Sequence, residues 1–125
     1  MNTPSALIIE DDKDVSDLYS HVLESSGFTT EIISTGEAAL ARLAASVPDV
    51  VLLDLNLPSH LSGVDVLHHI RADQRLAGTR VIVVTGYPDL AETLRDEADW
   101  ILLKPVDVNQ LSDLIQRLRP SGSSA

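Results

Sequence analysis

Apolar residues fall in short continuous runs that alternate with longer stretches of three- and four-residue periodicity. The runs lie at 6–10, 29–33, 49–54, 80–85 and 99–103. Four of the five are apolar at nearly every position, which predicts strands covered on both faces. Thr29-Thr30-Glu31-Ile32-Ile33 is mixed and reads as an edge strand. Between the runs, Val15, Leu18, Tyr19, Val22 and Leu23 put one apolar stripe on a helix over 13–25, with Gly27 as its stop. Ala39, Leu40 and Leu43 mark a second helix that ends before Pro48. Val64, Leu67 and Ile70 mark a third, opened by a cap at Ser62 with Asp65. Pro88 and Asp89 open a short fourth helix, and Val108, Leu111, Leu114, Ile115 and Leu118 mark a fifth. Five strand–helix units with right-handed crossovers predict an α/β fold with a doubly wound parallel sheet.

The chain has 125 residues, enough for one domain with a single core. That domain is expected over 1–119. The small polar stretch from Pro120 to Ala125 reads as a disordered tail or the start of a linker. There is no cysteine, which excludes disulfides, thiolate metal sites and a thiol nucleophile. The same absence suits a reducing cytoplasm, the expected location. No apolar run approaches the roughly 18 residues of a membrane span, so no membrane insertion is expected. The formal net charge is −10. Such a chain repels phosphate backbones, and direct nucleic-acid binding is not expected of it.

The chemistry gathers where the runs end. Asp54 closes the run Val50-Val51-Leu52-Leu53, Glu10 and Asp11 follow Ala6-Leu7-Ile8-Ile9, Thr85 closes Val81-Ile82-Val83-Val84, and Lys104 follows Ile101-Leu102-Leu103. In an open parallel sheet, ligands bind at this carboxyl edge. Neighbouring strands lie about 4.8 Å apart, so carboxylates at adjacent ends repel one another or share a cation. Glu10, Asp11 and Asp54, with the backbone carbonyl of Asn56, form a hard-oxygen set suited to Mg²⁺. Solvation at a loop edge explains any one acid as well, and Asp12 reads as the N-cap of the first helix. The convergence with Thr85 and Lys104 is harder to explain that way. A carboxylate nucleophile, a divalent cation, an ammonium and a hydroxyl are the equipment for phosphoryl transfer to a carboxylate. His21, His60, His68 and His69 read as surface or partly packed residues. His68 and His69 are adjacent on a helix and face different directions.

In this order and spacing, four motifs resemble the receiver domain of a two-component response regulator over residues 5–119. They are Ile8-Ile9-Glu10-Asp11-Asp12, Val51-Leu52-Leu53-Asp54-Leu55-Asn56-Leu57-Pro58, Val83-Val84-Thr85-Gly86-Tyr87 and Leu103-Lys104-Pro105. The resemblance implies a flavodoxin-like (βα)5 sheet in the order 2-1-3-4-5 and a cis bond at Lys104-Pro105. It implies that Asp54 accepts phosphate from a histidine kinase or a histidine phosphotransfer protein, with Thr85 and Lys104 as the other catalytic residues. It places Mg²⁺ (or Mn²⁺) at Glu10, Asp11, Asp54 and Asn56, has Asn56 and Tyr87 tune the phosphoryl lifetime, and puts kinase docking near Asp14, Val15 and Leu18. The expected state is a monomer or a weak phosphorylation-dependent dimer, signalling to a downstream protein partner.

Three departures stand out. The loop from Pro58 to Gly63 is longer than is common. Ile101 stands where the family usually has Tyr or Phe, with Trp100 on the opposite side of the strand. The stretch between Thr85 and Lys104 is short by about one helical turn. The last two bear on how a signal leaves the domain, not on the phosphorylation chemistry. A pseudo-receiver, an interaction module without phosphorylation, is the alternative, and the intact acid, hydroxyl and lysine set argues against it. A turnover phosphatase with an aspartyl nucleophile would want an acid where Asn56 stands. External substrate turnover is therefore not expected.

Overall fold

In the computed structural model, which describes residues 3–58 and 60–118, three of the most apolar runs become the central strands. These are β1 (Ser5–Ile9), β3 (Val50–Asp54) and β4 (Arg80–Thr85), flanked by β2 (Thr29–Ile33) and β5 (Trp100–Leu103). All pair in parallel, in the order β2-β1-β3-β4-β5. This is the order the resemblance implied. Strand alternation splits the core into two layers. Leu7, Ile9, Val51, Leu53, Val81 and Val83 meet α2 (Gly36–Ala45) and α3 (Gly63–Ala72). Ala6, Ile8, Val50, Leu52, Ile82 and Val84 meet α1 (Lys13–Ser25) and α5 (Val108–Arg117). No helix among the described residues is long and apolar enough to cross a membrane. The expected tail from Pro120 to Ala125 lies outside the described residues.

The helix starts follow local side-chain chemistry. Asp12 caps α1 through the Val15 amide, and Thr35 caps α2 through the Ala38 amide. Ser62 and Asp65 form a reciprocal capping box on α3. Asp107 accepts from the amides of Asn109 and Gln110 at the start of α5. Each such cap is worth about 1 kcal/mol. By contrast, α4 (Pro88–Thr93) has no side-chain cap and no buried residue. Its six residues bear out the expected shortening.

One expectation is corrected. The run at 99–103 predicts a strand covered on both faces, yet β5 is an edge with Trp100 41% and Leu103 48% exposed. Short α4 covers little of it, and among the described residues no strand pairs beyond it. Ile101 packs toward the layer of α2 and α3, while Trp100 borders a groove with Leu114 of α5. The two therefore face opposite ways, as expected.

The connection into β5 is fastened by charge. Asp99 Oδ2 accepts from the Val81 amide and from Arg71 Nη2, each at 2.7 Å. Arg71 also donates to the carbonyls of Glu97 and Thr79. At the other edge of α3, Gly63 lies against the end of β3. A Cβ there would overlap the backbone of Leu55 and Asp54, neither of which is a flexible tip. Gly63→Ala is expected to destabilise the fold by about 1–3 kcal/mol. Urea denaturation measures this, and an unchanged midpoint would show that the strand end yields freely.

Candidate functional site

Every strand in the central three ends on the same edge, and the candidate residues end there with it. Asp54 is the last residue of β3 and is 3% exposed. Glu10, one residue past β1, is equally buried, while Asp11 faces solvent. One ligand oxygen from each of Glu10, Asp11 and Asp54 lies within 4.8 Å of the others. Lys104, one residue past β5, reaches across β4 to place Nζ 2.9 Å from Asp54 Oδ2. The Asn56 amide donates to Asp54 Oδ1 at 2.9 Å. Both oxygens of the Asp54 carboxylate are thus oriented by fixed donors.

Glu10 is less well served. Its Oε2 accepts from the Asp12 amide at 3.1 Å, but Oε1 is buried without a hydrogen-bond partner. Burial pushes its carboxyl up from 4.5 to about 7. The Asp12 amide opposes this, the bond and charge of Asp54 add to it, and Lys104 offsets part. Lys104 shows the reverse balance. Burial would lower its pKa, but the bond to Asp54 and the charges of Asp54, Glu10 and Asp11 outweigh it and hold the ammonium above its usual value. A buried carboxylate oxygen with no donor, beside two further acids, fits a hard divalent cation.

These groups open into a pocket of about 650 Å³. Glu10, Asp11, Asp54, Asn56 and Lys104 line it, as the sequence predicts. Thr85 does not. Its partner position on β3 places Asp54 beside Val84, so alternation turns Thr85 to the other face of the sheet. There it is buried, and its Oγ1 accepts from the Tyr87 amide at 3.1 Å. Tyr87 itself is 62% exposed. The Lys104-Pro105 bond is cis, as the resemblance implied. The four histidines are all exposed, and His68 meets Glu97 at 2.9 Å.

The pocket also holds a residue the site reading passed over. Tyr19 lines it from α1, next to Pro105 and Val106 of the segment after β5. Its place in the apolar stripe marked it only as core, which it also is.

Residues 6–116 match the family model for the response regulator receiver domain. The chain belongs to that family. This receiver domain is 33% identical over 108 residues to the DNA-binding response regulator MtrA of Mycobacterium tuberculosis, covering 84% of this chain and 46% of the relative. It is 32% identical over 118 residues to the DNA-binding dual master transcriptional regulator RpaA of a Synechocystis species, covering 92% and 48%. Among solved structures, the CheY-like receiver domain from Methylobacillus flagellatus is similar with a TM-score of 0.83 and 28% identity, over 94% of this chain and 100% of that one. The domain thus belongs to two-component signalling, and it spans less than half the length of those two curated relatives.

The names of those relatives correct one expectation. Net charge argued against nucleic acid as a partner, yet MtrA and RpaA are both named for binding or regulating DNA. The charge argument is physically local: it describes the field of one acidic domain and sets no bound on what a connected or associated domain binds.

The Glu10 carboxyl gives a pH test of the site's electrostatics. In the absence of divalent ions the folded chain holds this proton more tightly than the unfolded chain. That contribution to stability is complete below 4.5 and is lost as pH rises through about 7. In chelator, the melting temperature of the wild type relative to Glu10→Gln should fall across this window. Parallel pH profiles for the two proteins would refute the account.

Proposed function

We propose that this receiver domain is a phosphoacceptor switch. Asp54 takes a phosphoryl group from a histidine kinase or a histidine phosphotransfer protein and thereby changes the surface read by a partner. The observation that carries the reading is the Asp54 carboxylate, buried at a strand end, held by Lys104 at 2.9 Å and flanked by Glu10 and Asp11. No structural contact explains three acids crowded around one lysine as well as a site that must receive both a cation and an anion does.

An Asp54 oxygen attacks the phosphorus, and the bond from phosphorus to the donor's imidazole nitrogen breaks as the new P–O bond forms. Lys104 already sits on Asp54 and needs only to shift to a phosphoryl oxygen, so its positive charge is present throughout. The Asn56 amide keeps the other carboxylate oxygen in place. Glu10, Asp11, Asp54 and the Asn56 carbonyl would hold Mg²⁺ (or Mn²⁺), which would supply positive charge to offset repulsion between carboxylate and phosphoryl group. Thr85 turns its hydroxyl to the phosphoryl group at the expense of its present bond to the Tyr87 amide, which moves the segment from Gly86 to Pro88. Side chains at Asn56 and Tyr87 tune access of hydrolytic water.

The domain catalyses its own phosphorylation and dephosphorylation and turns over no other substrate. By likeness to MtrA and RpaA, we extend to it an output that ends at DNA, reached through a partner or an attached domain. A cytoplasmic location suits a kinase donor.

Intact-mass analysis after incubation with acetyl phosphate and Mg²⁺ tests the reading. One added phosphoryl group is expected on the wild type, none on Asp54→Ala and none with the metal chelated. A wild type that takes up no phosphate, or an Asp54→Ala variant that still does, would overturn it.

A further inference from the structure

The pocket beside Asp54 has two kinds of wall. One end is acidic, with Glu10, Asp11 and Asp54. The other is an apolar shelf formed by Val15, Tyr19 and Val106. Tyr19 lies close enough to Glu10 and Asp54 for their charges to act on its phenol. It is 4% exposed, and its ring packs in the core layer of α1 and α5. Among the described residues, no hydrogen bond to its hydroxyl is found, nor is the oxygen one of the fully enclosed unpartnered atoms. The oxygen therefore keeps some exposure, on a residue that lines the pocket.

A phenol that lines the pocket without a protein partner keeps its hydrogen-bonding capacity free for water or a ligand. A ligand in the pocket can replace that water by accepting a hydrogen bond from the hydroxyl. The fixed groups around it define what that ligand is. Burial and the charges of Glu10 and Asp54 push the phenol up to about 12, so it stays protonated and can only donate to an anion. Carboxylates on the protein already crowd the pocket, and the incoming phosphodonor adds more negative charge. Among the described residues, Lys104 is the one cationic side chain lining the space. A further neutral donor, rigidly held, is what the entering anion lacks.

We propose that Tyr19 is a positioning residue for the phosphodonor, its hydroxyl donating a hydrogen bond to the donor's anionic oxygens while its ring supports the apolar part of the donor. This rests on the reading of Asp54 as phosphoacceptor. Tyr19 exchanges no proton and forms no bond to phosphorus. It lowers the donor concentration the reaction needs and leaves the chemical step to Asp54 and Lys104.

The test is Tyr19→Phe, which keeps the ring and its packing and removes only the hydroxyl. Half-saturation by acetyl phosphate is expected to rise about three- to tenfold, the loss of one hydrogen bond. The rate at saturation, the melting temperature and the Mg²⁺ affinity should match the wild type. Tyr19→Leu, which also removes the ring, should weaken donor binding at least as much. Equal half-saturation in wild type and Tyr19→Phe overturns the proposal. So does a loss that falls on the saturating rate or on Mg²⁺ affinity instead. Failure of the wild type itself to gain a phosphoryl group would remove the phosphoacceptor reading, a result that Tyr19→Phe cannot produce alone.

Discussion

The ion pair between Asp54 and Lys104 is the constraint around which the rest of the molecule is arranged. Two strand ends, separated by β4, must bring opposite charges to within 2.9 Å of each other. Asp54 is almost wholly buried next to Glu10, and among the described residues that line the pocket Lys104 alone offsets them. With Asp54 buried and Lys104 exposed, the pair contributes little net stability, because desolvation of the carboxylate offsets much of the attraction. Its value is in preparation: a carboxylate already desolvated, already oriented and already facing a cation needs little rearrangement when charge is transferred to it.

The sheet supplies that accuracy. Three central strands packed on both faces form a platform with little freedom to deform. The chemistry is hung from its carboxyl edge, and the helix starts that follow β1 and β3 are fixed by Asp12 and by the Ser62–Asp65 box. Rigidity is unevenly spread. The uncapped α4, with no buried residue, and exposed Tyr87 border Thr85, whose side chain faces away from the pocket. Stiff residues hold the reacting groups, and weakly held residues lie where a change must become visible to a partner.

Most of this could be read from the chain because its signals are local. An apolar run followed by an acid or a lysine locates a strand end, and Asp12, Ser62 and Asp65 announce helix starts within a few residues. Where the cause is distant, the sequence is silent. The run at 99–103 looks like the central runs, since an apolar pattern does not record whether a helix later covers it. Thr85 sits at a strand end like Asp54, but only the register between β3 and β4 reveals that it faces the other way. Tyr19 satisfies the helical stripe perfectly well as core, so nothing marks its hydroxyl. The contacts of Arg71 join residues far apart in sequence and leave no local trace.

Asp99 carries a consequence for the opposite end of its strand. By binding the Val81 amide and Arg71, it anchors β5 at its first turn into the sheet. An edge strand with one neighbour is free to slide, and a slip of a single residue would exchange its two faces. Lys104 would then swing off the carboxylate it serves. The lock that keeps the lysine aimed is therefore a salt bridge at the far rim of the domain, a strand's length from any reacting atom.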